Sequence, residues 1–416
     1  MIGRPGGGGG QLGMQASVSI SRQCYDTTIV RIYLDHNATA PPYPAVVDAV
    51  SRVLRERFGN ASSVHAFGQQ AKAEVDDARG HLADLLDAEP SEIVFTSGGT
   101  EADNAAIRGG TEALAPTGRR RIITTGIEHE AVLVTTRALE RAGHPVALLP
   151  VGPGGVVDPS SLEAAMTDDT AIVSVMHANN EVGTIQPIAS LAAIARARGA
   201  LFHTDAVQSV GKIPVSVRAL GVDLLSLSGH KFGAPKGVGA LWVRRGVRLS
   251  SYMTGGKQER SRRAGTENVP ALAGLGVAAL IARESLPSMA KVAALRDDLE
   301  QRILADVPGT AVNGDRDRRV PNTTNISFDG LEAESLLIAL DLEGVAVSTG
   351  SACSSGSLEP SHVLRAMGLP HPRTRNSLRF SLGPTTTADE VAFVADRLPA
   401  LVEKLRRLTA TAAALR

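Results

Sequence analysis

From residue 32 onward this 416-residue chain alternates short apolar runs with helical patterns, and that alternation leaves few folds open. Val75, Ala78, Leu82 and Leu85 recur at the spacing of one helix face. Strand-like runs are read at 92–96, 121–125, 146–149, 171–176, 200–204, 223–227 and 239–243. Helical stretches separate several of them, including 131–142 and 188–197, the latter stopped near Gly199. Parallel strands need long crossovers, usually helices, so this pattern implies an α/β domain around a mostly parallel sheet. After residue 282 the texture changes to a charged helix at 286–307, a polar loop at 313–322, a strand at 325–328 and a helix at 333–340. This C-terminal third reads as a smaller α+β domain.

Composition narrows the class of partner. Basic and acidic residues number 43 each, which argues against nucleic acid or an anionic membrane surface. The longest nearly apolar run, 271–282, is too short to span a bilayer. Cys24 and Cys353 cannot build a disulfide framework, so a reducing, cytoplasmic setting is expected. Residues 1–31 carry a run of glycines at 6–10 and Asp26 as their only acid. They are expected to form a disordered extension or to reflect a mis-set start, with Met14 as an alternative initiator. Arg4, Arg22 and Arg31 give the stretch the charge of a transit peptide, but its glycines oppose an amphipathic helix.

Lysine is scarce here, seven residues against 36 arginines. Lys231 therefore stands out in Ser228-Gly229-His230-Lys231, between a predicted buried strand and the glycine-containing loop 233–239. Arginine keeps its proton near neutral pH, whereas a desolvated lysine can serve as an amine nucleophile.

Ligands of open α/β sheets bind beyond the carboxyl ends of the strands. Distinctive polar residues gather there: Ser97-Gly98-Gly99-Thr100-Glu101, Glu128-His129, Asn179-Asn180-Glu181, Asp205 with Gln208, and Ser228 with His230 and Lys231. Two glycines before a helix start, with Thr100 and Asp103 spaced like a capping box, make a phosphate cradle. The set suits pyridoxal 5'-phosphate, which needs a lysine for its Schiff base and a carboxylate at its ring nitrogen. Lys231 fits the first need and Asp205 the second. Gln208 would bond the phenolic oxygen, His129 would stack on the ring, and Gly99, Thr100, Ser228 and His230 would hold the phosphate. No pair among His129, His177, His203 and His230 has zinc-motif spacing, so no resident metal is expected.

The segment 348–357 is small, polar and glycine-containing, with Cys353 near its middle. A structural cysteine normally sits among apolar neighbours, so a mobile nucleophile is the sharper reading. Arg379, on a predicted strand, would clamp a substrate carboxylate bidentately.

The chain resembles the class V, fold-type I pyridoxal-phosphate enzymes, and within them the cysteine desulfurases. The resemblance rests on motifs in family order between about residues 32 and 385. They include Tyr33-Leu34-Asp35-His36-Asn37-Ala38-Thr39, Ala178-Asn179-Asn180-Glu181-Val182-Gly183, His203-Thr204-Asp205-Ala206-Val207-Gln208, Arg263-Ala264-Gly265-Thr266-Glu267-Asn268 and Gly350-Ser351-Ala352-Cys353-Ser354. Ala61 and Ala234 depart from the usual Pro and Gly, without removing a chemical group.

The resemblance implies a seven-stranded, mostly parallel sheet sandwiched by helices. It implies an N-terminal segment (32–44) joining the small domain, a large cofactor-binding domain (45–285) and a small C-terminal domain (286–416) carrying the Cys353 loop. Lys231, Cys353 and His129 would be catalytic. Asn180 and Arg379 would contact the substrate, Asn180 also lying against the cofactor. Thr266 would reach the phosphate of a neighbouring subunit in a homodimer. L-cysteine would yield alanine and a persulfide on Cys353. The long Cys353 loop resembles the branch that hands sulfur on directly, to an iron–sulfur scaffold, a tRNA-thiolation protein or another carrier, with a transient cluster contact through Cys353. Selenocysteine lysis, aminotransfer and a non-catalytic scaffold are the alternatives.

Overall fold

The computed structural model describes Gly3, residues 31–350 and residues 360–414, with side chains described through Thr411. Cys24, Cys353 and nearly all of the expected N-terminal extension lie outside the described residues.

The described chain enters through β1 (Ile32–Tyr33) and then builds a seven-stranded sheet. Its strands are β2 (Ile93–Thr96), β3 (Arg121–Thr125), β4 (Val146–Leu149), β5 (Thr170–Ser174), β6 (Leu201–Asp205), β7 (Leu224–Ser228) and β8 (Gly239–Val243). They lie in the order β2-β8-β7-β6-β5-β3-β4. Every contact from β7 to β4 is parallel, while β8 pairs antiparallel with both β7 and β2. Hence β2 points the same way as β7, and only β8 is reversed. Six strands deliver their carboxyl ends to one edge, as the alternation predicts.

Strands β5 and β7 are buried along their whole lengths and β6 beyond its first residue, which explains their apolar runs. Their polar residues satisfy one another across the sheet. The His203 ring bridges Ser174 Oγ at 2.8 Å and Ser226 Oγ at 2.9 Å. Burial holds that imidazole neutral, down at about 3.

The helices Pro44–Glu56, Ala66–Leu86 and Val269–Ser285 pack together over one face of the sheet. Gly276 lets two of them touch, since a Cβ there would lie 2.7 Å from Ala78 Cα. Val269–Ser285 continues through a 3₁₀ turn into Met289–Asp306, a run long and apolar enough by length and composition to cross a bilayer. A buried core helix passes the same test of length and composition. Leu272, Leu275, Ala278 and Ala279 of this run are buried in the core, where apolar area removed from water is worth about 25 cal/mol per Å².

A second apolar core gathers Ile303, Phe328, Leu336, Phe380 and Leu398. It lies around β9 (Thr310–Asn313), β10 (Thr323–Phe328), the parallel partner of β1, β11 (Val345–Ala346), and β12 (Ser377–Ser381). The sequence pattern predicts no strand at β9. That strand is short, sits at the sheet edge and is mostly half-buried, so no apolar run announces it. An isolated bridge from Asp35 to Ser381 ties the entering chain to β12.

Candidate functional site

Loops from the carboxyl edge of the large sheet surround a cavity of about 340 Å³, within the usual range of roughly 300–1,000 Å³ for small-molecule sites. Gly99, Thr100, Ser228 and His230 line one part of it. His129, Asp205, Gln208 and Lys231 line it too, as do Asn180 and Arg379. Of the expected site residues, two are not among this lining. Cys353 lies outside the described residues, and Thr266 lines a separate cavity with Ser97, Gly237 and Glu267.

Lys231 ends a 3₁₀ turn, Gly229–Lys231, directly after β7. Its Nζ donates to the carbonyls of Asn37 at 2.7 Å and Ala38 at 2.9 Å. The turn needs Gly229, because a Cβ would lie 2.9 Å from Ala234 Cβ. Beside it, His230 Nδ1 lies 3.2 Å from Thr39 Oγ1. Burial, helped by Lys231 and Lys236, pushes His230 down to about 4, so the ring is neutral near pH 7.

Asp205 ends β6, where its Oδ1 accepts from the amide of Val207 at 2.9 Å. Burial raises its pKa, while His129 and Lys231 pull it back down. A cationic ring nitrogen would reinforce that pull. His129 caps the helix Glu130–Arg141, with Nδ1 accepting from Ala131 N at 3.1 Å. In a neutral ring that bond places the proton on Nε2.

The spacing of Thr100 and Asp103 predicts a capping box, and the structure corrects this. Helix Gly99–Leu114 begins after Gly98, whose φ of 154° suits glycine, and no side chain caps it. Glu101 instead accepts from Ser97 N at 2.8 Å, and Asp103 is buried within the helix. Amides at this end therefore stay open to an anion.

Arg379 is 2% exposed, on β12. It donates through Nη1 to Asn180 O at 2.8 Å and through Nη2 to Asp35 Oδ1 at 2.6 Å. Its Nε, Asn180 Oδ1 and Asp103 Oδ1 are buried without a hydrogen-bond partner among the described residues. Buried polar atoms are rarely left so, and all three belong to residues lining the cavity. Orphaned polar atoms, open helix amides, a buried carboxylate and a lysine amine together fit pyridoxal phosphate.

Three participants were not assigned to the site from the sequence. Asn37, quoted only within a motif, joins the cavity wall from the entering chain, and Asp103, read as a cap, joins it from inside its helix. Lys212 stands behind Gln208, its signal that of a scarce lysine four residues further on.

The sequence profile of the family Aminotransferase class-V matches residues 32–394. A "Cysteine desulfurase" of Nostoc sp. is 51% identical over 381 residues, which cover 91% of this chain and 94% of that protein. A solved "NifS-like protein" superposes with a TM-score of 0.85 at 37% identity, covering 90% of this chain and all of the other. The structure "SspA in complex with cysteine" has a TM-score of 0.76 at 35% identity, covering 86% of this chain and 100% of that one.

Proposed function

Because this chain belongs to the class-V aminotransferases, and among them to the cysteine desulfurases, we propose that it holds pyridoxal phosphate on Lys231 and draws sulfur from L-cysteine onto Cys353. The carrying observation is a single cavity lined by Lys231, Asp205 and His129 in a chain half identical to cysteine desulfurases. SspA, solved with cysteine, supports the choice of substrate.

When bound, the cofactor supplies an electron sink for charge developing beside the substrate's amino carbon. Asp205 would keep the ring nitrogen protonated, and the open amides of helix Gly99–Leu114 with Thr100, Ser228 and His230 would hold the phosphate. His129, its Nε2–H set by the Ala131 bond, would lie over the ring and assist proton movement. Arg379 and Asn180 would orient the substrate carboxylate; Arg379 would turn part of its fork from Asp35 to do so.

Cys353 Sγ, as thiolate, then bonds to the substrate sulfur. The substrate's carbon–sulfur bond breaks, its electron pair stays with carbon, a proton completes alanine, and the persulfide remains on Cys353. A cytoplasmic, reducing setting keeps that thiol available.

Phe58, Val64 and Phe67 are 71%, 92% and 54% exposed, an apolar cluster that suits a second copy of the chain. Thr266, with its own cavity, is assigned to the partner's phosphate in that homodimer. Residues 45–285 form the cofactor-carrying unit in this reading, and 286–416 with 32–44 the smaller one; two separate apolar cores support that division. The sulfur acceptor is an iron–sulfur scaffold or a carrier protein.

The test compares wild type with Cys353→Ser in cofactor and L-cysteine with a reducing thiol. Wild type is expected to be yellow and to make alanine and sulfide in equal amounts. The variant should stay yellow while sulfide falls on the order of 10³-fold. Equal sulfide from both would refute the persulfide role.

A further inference from the structure

Resting on that reading, we propose that Lys212 is a positioning residue for the cofactor ring, setting which face of the Gln208 amide meets the cavity. Lys212 is 6% exposed, and among the described residues no carboxylate pairs with it. Burial first, then Lys231 and Arg379, push its pKa well below the ordinary lysine value, and a polar amine taken out of water needs hydrogen-bond partners in either state, so packing alone does not account for it. What surrounds it is a set of oxygens. Its Nζ donates to Gln208 Oε1 at 2.5 Å and to Asn37 Oδ1 at 2.8 Å.

A lysine nitrogen offers at least two N–H groups in either protonation state. With Gln208 Oε1 committed to one of them, the amide nitrogen must face the other way. It does: Gln208 Nε2 donates to Asn37 O at 3.0 Å, the same carbonyl that receives Lys231 Nζ at 2.7 Å. Asn37 is fixed by the same amine. Its Oδ1 also accepts from Asn322 Nδ2 at 3.0 Å, and its Nδ2 donates to Thr323 Oγ1 at 2.9 Å and Asn180 O at 3.2 Å. One buried amine thus orients two amides of the cavity wall, so that Gln208 presents a donor to an oxygen on the ring.

Lys231 and Arg379 are the charged groups that act on Lys212, and Lys212 in turn acts on His36. Losing a donor at the ring oxygen strengthens that oxygen's hold on the proton it shares with the neighbouring lysine nitrogen. The absorption midpoint of the bound cofactor therefore moves up in pH when Lys212 is removed.

The experiment titrates the visible absorption of the full-length, cofactor-loaded protein against pH for wild type, Lys212→Met, Gln208→Ala and the double variant. Cofactor affinity is read alongside by fluorescence. Lys212→Met is expected to raise the midpoint by about one unit, as is Gln208→Ala, and the double variant should move no further than the larger single shift. Lys212→Arg, which keeps donors, should hold the wild-type midpoint; if Lys212→Met does not fold, a shifted midpoint in Lys212→Arg overturns the proposal. It is equally overturned by an unchanged Lys212→Met midpoint or by shifts that add in full. A wild-type protein with no visible band would instead sink the functional reading itself.

Discussion

At the scale of single residues, burial sets the charge states. Glu128 is the clearest case, a fully buried carboxyl that accepts from Thr125 Oγ1 at 2.7 Å and from Met176 N. Burial outweighs these bonds and raises it to about 8. The unfolded chain releases this proton near 4.5, while the folded chain holds it to about 8. The folded state therefore binds more protons across that window. Its extra stability is fully present below the unfolded value and is lost as pH rises through the folded one. Glu128→Gln removes this dependence. Urea unfolding across the window should show wild type losing about 1.4 kcal/mol per pH unit relative to the variant. A pH-independent difference would contradict the buried proton. In the sequence, Glu128 was visible only as a neighbour of His129; its environment comes from Met176, 48 positions away.

At the scale of elements, strand ends and helix starts were legible and close approaches were not. Gly383 follows β12 and looks like an ordinary turn glycine in the sequence. In the fold, a Cβ there would lie 2.0 Å from His36 Nε2. The His36 ring is itself packed against Ser381 O, and burial holds it near 4, hence neutral. Gly383→Ala should displace His36 and loosen the Asp35–Ser381 bridge, costing about 1–3 kcal/mol in thermal or urea unfolding. Because Asp35 also binds Arg379, the Michaelis constant for cysteine should rise as well. A variant as stable as wild type would show that this contact yields cheaply.

At the scale of the whole molecule, the proposed homodimer would take in the exposed apolar cluster and Thr266. Arg263 ties the Thr266 segment to the first turn of helix Gly99–Leu114 through Glu101, at 2.8 Å. Nearby, Glu259, Arg260 and Ser261 all adopt positive φ, a costly conformation for residues with a Cβ. Glu259 anchors that turn by its 2.6 Å pair with Arg79. Phe67→Glu puts a charge into the proposed contact. Sedimentation should show wild type at twice the chain's mass and the variant shifted toward one, with weaker cofactor retention. A variant that stays fully dimeric would place the contact elsewhere.

By itself the sequence determined the sheet, its direction and the chemistry gathered at its edge. Strand and helix periods are local properties, and the aspartate ends its strand while the lysine and histidine follow theirs by three and four residues. Tertiary structure alone decided that Asn37 would be a hub, that Lys212 would stand behind Gln208 with no carboxylate partner among the described residues, and that Asp103 would be buried rather than capping. Each of these depends on which distant backbone shields a group from water, and hydrogen-bond partners up to 347 positions apart leave no local period to read.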